Sequence, residues 1–159
     1  MLRTIYRCPK PVVAKVQGDC YAGGMGLVAA CDVAVAVDTA NFCLSEVKLG
    51  LIPATISPYV IKAMGEQAAR RYFLTAERFD AKEAHRIGFV HETVPAEELD
   101  TTVAAIVQAL ANNSPNAVRE AKQLVCEIVG QPVTEALLED TANRIAGIRA
   151  SLEGREGVE

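Results

Sequence analysis

Two stretches of the 159-residue chain carry residue types and spacings suited to chemistry. The first is the turn Gly18-Asp19-Cys20-Tyr21-Ala22-Gly23-Gly24-Met25-Gly26. It follows a strand-like run and leads into a helix start, so it presents backbone N–H groups at the positive end of a helix dipole. Glycine keeps side chains out of the path of an approaching ligand oxygen. Such a turn can bind a phosphate or stabilise a developing oxyanion in acyl chemistry; equally, it can be a plain tight turn that needs positive φ. The second stretch is Phe42-Cys43-Leu44-Ser45-Glu46, an apolar run ending in a carboxylate. A partly desolvated Glu46 suits general acid/base work, and its plainer reading is a surface salt bridge to Lys48 or a nearby arginine.

Several other chemistries fail on residues. A phosphate-binding Walker loop ends in Gly-Lys-Ser/Thr, where this chain has Met25-Gly26-Leu27. The string Gly24 to Ala29 imitates a dinucleotide fingerprint, but its first glycine lies well past the strand that ends at Val16, and the helix is too short for the crossover. There is no Gly-x-Ser-x-Gly elbow and no Ser-His-Asp order. The five cysteines include no Cys-x-x-Cys pair, and His85 and His91 are too far apart for a zinc pair, so no metal is expected. The thiols read as free, mostly buried and in a reducing compartment, which places the protein in the cytoplasm. Sixteen basic against twenty acidic residues, with no Trp, argue against a nucleic-acid partner. No apolar stretch approaches the ~20 residues that span a bilayer, and the opening MLRTIYRCPKP has no secretory h-region.

The elements that must position these groups divide the chain into an α/β part and a helical part. Residues 12–16 read as a strand after Pro9 and Pro11, followed by the glycine turn and a short apolar segment over 25–31. Residues 33–37, Val-Ala-Val-Ala-Val, form a near-continuous apolar run typical of a strand buried on both faces. A further short strand covers 42–44, and a loop with Gly50, Pro53 and Pro58 closes this half. Helical periodicity takes over from Pro58. Asp80 is a candidate N-cap for a helix ended by Gly88, and residues 89–94 are extended. Leu99, Val103, Ile106, Val107 and Leu110 mark one apolar helix face. Ser114 caps a helix over 115–129 with Pro115 at its first position, and a last helix covers 133–152. His85 and His91 read as solvent-exposed.

The runs Pro11-Val12-Val13-Ala14-Lys15-Val16-Gln17-Gly18, Ala22-Gly23-Gly24-Met25-Gly26-Leu27 and Cys31-Asp32 resemble the enoyl-CoA hydratase/isomerase (crotonase) superfamily. So does the stretch from Phe42 through Glu46-Val47-Lys48-Leu49-Gly50-Leu51-Ile52 to Pro53. The resemblance continues through Leu74-Thr75-Ala76-Glu77, Ala81, Glu83, Ala84 and Gly88, Val94-Pro95 with Leu99, and the tail Ser151 to Gly157.

This resemblance implies an α/β fold of the crotonase-like ββα spiral type. Residues 1–94 would form the C-terminal part of the spiral core, and residues 95–159 a helical region used to assemble a homotrimer or hexamer. The implied substrate is an acyl-CoA thioester, with no separate cofactor because coenzyme A is part of the substrate, and neither nucleic acid nor membrane as a partner. The family holds an enolate between two backbone N–H groups. Gly23 matches one donor, and the other is expected from an N-terminal segment that this chain lacks. Of the two glutamates common in the hydratases, the second matches Glu46 and the first falls on Gly26. Ala22, Gly24, Gly26, Pro53 and Ala54 are expected to border the substrate. Leu44-Ser45-Glu46 and Pro53-Ala54-Thr55-Ile56-Ser57-Pro58 look like the bacterial branch acting on 3-methylglutaconyl-CoA in leucine and acyclic terpene breakdown, with Gly26 leaving room for a branched acyl group. A one-glutamate double-bond isomerase and a non-catalytic acyl-CoA-binding subunit are the alternatives.

Overall fold

A computed structural model describes residues 1–156, so Gly157 of the tail motif lies outside the described residues. The chain divides into two compact units, Met1–Leu124 and Val125–Glu159.

In the first unit, six short strands build two sheets. β1 (Val13–Val16), β3 (Val33–Val37) and β6 (Glu92–Val94) form a parallel sheet in the order β1-β3-β6. β2 (Cys20–Tyr21) and β4 (Asn41–Cys43) pair in parallel, and β5 (Phe79–Asp80) closes antiparallel on β4. The chain thus visits the first sheet and then the second, and does so twice. Each double visit ends in helical structure: α2 (Gly23–Ala30) after β2, and a 3-10 turn (Glu46–Leu49) leading to α3 (Ser57–Met64) after β4. This is the ββα repeat that the family resemblance implied.

β3 is the central strand of its sheet, and its last four residues are buried, as a two-sided apolar run requires. Around it Phe42 stacks on Phe79 at 5.6 Å between ring centroids and meets Phe89 edge-on at 5.7 Å. Met25, Leu44, Val35, Val60 and Val90 fill the space between and are fully buried.

Helices cover this core. α4 (Glu66–Thr75) follows α3 across Gly65, whose φ of +83 suits only glycine at low cost. α5 (Ala81–Arg86) starts where Asp80 accepts the Glu83 N–H at 2.8 Å, the expected cap. α6 (Ala96–Ala111) buries Leu99 and packs Val103 and Ile106 against the core, while Val107 faces solvent. Lys15 on β1 reaches Asp100 on α6 at 2.7 Å. α7 (Pro115–Ile128) is tied down by Lys122, whose Nζ donates to Asp32 Oδ2 at 2.8 Å and to Lys10 O at 3.1 Å. The same Asp32 oxygen accepts the Val12 N–H at 2.8 Å. These ties anchor α6 and the start of α7 beside the parallel sheet, within the first unit.

Some expectations shift. α1 (Leu2–Tyr6) precedes β1 unannounced, with Tyr6 packed edge-on against Tyr59 at 5.4 Å. Only Cys20 and Cys43 are buried, whereas Cys8, Cys31 and Cys126 are half-buried, so the thiols are free but not mostly buried. His85 and His91 are exposed as expected, although His91 Nδ1 also accepts the Ala34 N–H at 3.0 Å and ties the segment before β6 to the central strand β3.

The second unit contains the end of α7 and α8 (Glu135–Glu156), separated by Gly130 at φ +78. Thr134 Oγ1 caps α8 by accepting the Leu137 N–H at 3.2 Å. Arg144 pairs with Asp140 at 2.9 Å and with Glu127. Val125, Val133, Leu138, Ile145 and Leu152 are exposed. No helix among the described residues is long and apolar enough to cross a membrane.

Between α4 and α5, Arg86 donates twice to the Glu83 carboxylate, at 2.6 Å each, and the Tyr72 hydroxyl donates once at 2.8 Å. Arg86 foremost, then Tyr72, hold the Glu83 carboxyl down at about 2, against an ordinary 4.5. A lowered carboxylate contributes stability that is present above its unfolded value and lost as pH falls through the folded one. The stability gap between wild type and Glu83→Gln is therefore expected to be full at pH 6 and to close between pH 4.5 and 2, as read by urea denaturation across that range.

Candidate active site

The second sheet ends in the two groups that the sequence singled out. Tyr21 of β2 lies opposite Cys43 of β4, and one residue further the Ala22 N–H donates to Cys43 O at 2.9 Å. Because the pair is parallel, both chains leave the sheet at the same edge. One leaves into Gly23, and the other into Leu44, Ser45 and Glu46.

Ala22 takes φ 49 and ψ −118, a conformation that strains any residue with a Cβ. Its N–H is held by Cys43 and its carbonyl accepts the Met25 N–H at 2.9 Å, so the strain is fixed from both sides. This turn starts α2 with Gly23 exposed. Among the described residues no backbone oxygen accepts the Gly23 or Gly24 N–H, and the first turn of α2 contains no acidic side chain. The positive end of the helix is open to an anionic oxygen. Asp19 secures the loop by accepting the Asn41 N–H at 2.9 Å and pairing with Arg78 at 3.2 Å. Cys20, beneath Gly24, is no nucleophile, since burial pushes its thiol up to about 12.

Glu46 opens the 3-10 turn behind fully buried Leu44. Its Oε2 is buried and has no hydrogen-bond partner, alone among the buried side-chain polar atoms of the described residues. Glu46 forms no ion pair among the described residues, so the salt bridge to Lys48 or an arginine is not made. A buried acceptor left unpaired costs stability and calls for an explanation; here it is a carboxylate able to orient a water or carry a proton.

The room expected beside Gly26 is absent. Gly26 is buried on the inner side of α2, and a Cβ there would lie 2.3 Å from Ile56 Cγ2 and 2.8 Å from Ile56 Cβ. Ile56, at the start of α3, fills the space in which a first carboxylate would have to begin. Pro53 is buried and Ala54 exposed on the segment joining the 3-10 turn to α3. Sequence reasoning assigned Ile56 no role; its contact with Gly26 crosses thirty residues of chain and has no local pattern. Beside Gly23 a groove of about 580 Å³ runs between α1, α2 and the start of α3, with Leu2, Leu27, Ile56 and Tyr59 among its walls and Glu46 outside its lining. No group of three or more His, Cys, Asp or Glu able to hold a metal exists among the described residues.

Residues 1–157 match the family described as enoyl-CoA hydratase/isomerase. An enoyl-CoA hydratase of Alternaria alternata is 39% identical over 118 residues, which are 74% of this chain and 40% of that protein. The crystal structure of an enoyl-CoA hydratase from Shewanella pealeana superposes with a TM-score of 0.92 at 44% identity, covering 99% of this chain and 58% of the other. An enoyl-CoA hydratase structure from Mycobacterium smegmatis gives a TM-score of 0.86 at 30% identity, over 96% and 63%. The chain thus spans less than two thirds of the length of these relatives.

Overpacking a tight core contact costs about 1–3 kcal/mol. Gly26→Ala is expected to destabilise the fold by that amount in denaturant melts. Gly26→Ala combined with Ile56→Ala should cost less than the sum of the two single changes, because the contact that each disturbs is the same one.

Proposed function

Because the chain belongs to the enoyl-CoA hydratase/isomerase family, we propose that it adds water to an α,β-unsaturated acyl-CoA, using Glu46 as acid/base and the Gly23 N–H as oxyanion donor. The observation that carries this reading is the buried, unpartnered Oε2 of Glu46, on the segment that leaves the sheet at the same end as an open helix N-terminus. In the proposed step Glu46 takes a proton from water as its oxygen bonds to the β-carbon. The electron pair of the double bond moves to the thioester oxygen, where the Gly23 N–H stabilises the enolate. The enolate collapses as Glu46 delivers a proton to the α-carbon, so water is added across the double bond with no net change in the enzyme. Ala22 and Gly24 shape the turn, and Pro53 and Ala54 border the site from the segment before α3.

With Gly26 in place of a first glutamate and Ile56 packed on it, one carboxylate carries all proton movement. That favours, as a second reading, a double-bond isomerase in which Glu46 moves a proton between carbons. The choice of a branched or carboxylated acyl group, 3-methylglutaconyl-CoA being the example, rests on the strings Leu44-Ser45-Glu46 and Pro53 to Pro58. It would place the protein in leucine or acyclic terpene breakdown, in the cytoplasm. The exposed apolar side chains of the helical region support assembly into a homotrimer or hexamer.

The test is the loss of enoyl-thioester absorbance with 3-methylglutaconyl-CoA and crotonyl-CoA, on wild type and Glu46→Gln. Removing a positioned acid/base group should slow turnover by about 10²–10⁴-fold. A 3-hydroxyacyl product means hydration, and a shifted double bond means isomerisation. Undiminished turnover by Glu46→Gln would sink the role of that carboxylate. Faster hydration of crotonyl-CoA would count against the carboxylated substrate, and binding without turnover would favour a non-catalytic acyl-CoA-binding subunit.

A further inference from the structure

The groove beside Gly23 has an uneven charge distribution. Its walls include the apolar side chains of Leu2, Leu27 and Ile56; Arg3 on α1 is the only charged side chain that lines it, and Met1, which bears the α-amino group, lines it as well. Arg3 makes no ion pair or side-chain hydrogen bond among the described residues. That distinguishes it from Arg71, Arg78, Arg86, Arg119 and Arg144, each of which is paired with a carboxylate. No acidic side chain lines the groove. A volume of about 580 Å³ lies within the range of small-molecule sites, and mostly apolar walls with a few polar groups, here Arg3, Thr55 and Tyr59, are the usual composition of such sites.

We propose that Arg3 is a specificity-determining residue that receives an anionic group at the far end of the acyl chain, so that this groove selects dicarboxylic acyl-CoA thioesters over neutral ones. The proposal rests on the reading of Gly23 as the thioester oxyanion donor. With the thioester oxygen at Gly23, an acyl chain held in this groove shares it with Leu27, Ile56 and Arg3, which line it together with Gly23. A carboxylate at the end of a short acyl chain then meets a guanidinium that has no competing partner and that can bind it through two parallel N–H donors. A neutral acyl tail gains only the apolar walls and leaves the cation unpaired.

Binding of two saturated, unreactive thioesters, glutaryl-CoA and butyryl-CoA, tests this by calorimetry without requiring turnover. A charge-assisted hydrogen bond is worth ~1.5 kcal/mol, or about tenfold in affinity. Wild type is expected to bind glutaryl-CoA about tenfold more tightly than butyryl-CoA, with the ratio shrinking as salt is raised. In Arg3→Gln the ratio should collapse to about one, and in Arg3→Lys it should stay above one. A wild-type ratio at or below one, or a ratio that Arg3→Gln leaves intact, overturns the proposal, as does failure of both thioesters to bind. An equal loss of both affinities in Arg3→Gln, with the ratio kept, would assign Arg3 to the coenzyme A portion and overturn it as well. Preference for glutaryl-CoA together with no hydration of any enoyl thioester would sink the proposed activity while leaving the role of Arg3 standing.

Discussion

The candidate site depends on a parallel pairing only two residues long. Tyr21 opposite Cys43, extended by the Ala22 N–H to Cys43 O, obliges the chain after β2 and the chain after β4 to emerge from the same edge. An antiparallel pairing would send Gly23 and Glu46 to opposite ends of the sheet. So short a pairing cannot hold by itself. It is fastened below by Phe42, which is fully buried between Phe79 and Phe89, and at its entrance by Asp19, which joins Asn41 to Arg78. The second sheet serves less as a covering layer than as a clamp on two exits.

At those exits the electrostatic demands are opposite and each is locally unmet. The start of α2 offers N–H donors with no backbone acceptor, and Glu46 offers a buried acceptor oxygen with no donor. Ala22 adds conformational strain between them. Each feature lowers the stability of the free fold, and the packed core around β3 and Phe42 offsets the sum. Burial raises the thiol of neighbouring Cys20 to about 12.

How much of this could be read from residues follows the range of the interactions. The run at 33–37 identified β3 with its observed limits, because a strand buried on both faces must be apolar at every position. Asp80, Ser114 and Pro115 marked helix starts through caps that act within three residues. The glycine turn and Glu46 were legible as types and spacings, together with a family resemblance over nearly the whole chain. What stayed hidden was decided at long range. The packing of α1, through Tyr6 on Tyr59, has no local signature. The anchoring of α7 depends on Lys122 reaching Asp32 across ninety residues. The occupancy of the space beside Gly26 depends on Ile56, and a glycine in a sequence reads as emptiness whichever neighbour stands over it.

That last pair also constrains how such a site can change by single steps. A carboxylate-bearing side chain cannot enter position 26 while the branched Cβ of Ile56 stands there, since the collision begins at the first carbon added. Shrinking position 56 first opens a hole in a region where Ile56 is only 7% exposed, at a cost of about 2–5 kcal/mol for an aliphatic side chain cut to alanine. Exchange of side chains at positions 26 and 56 is therefore ordered. The second position must yield before the first can be filled, and the intermediate carries the packing defect without the added chemistry. Gly26 and Ile56 act as a single two-residue character, and the present state is locked from both directions.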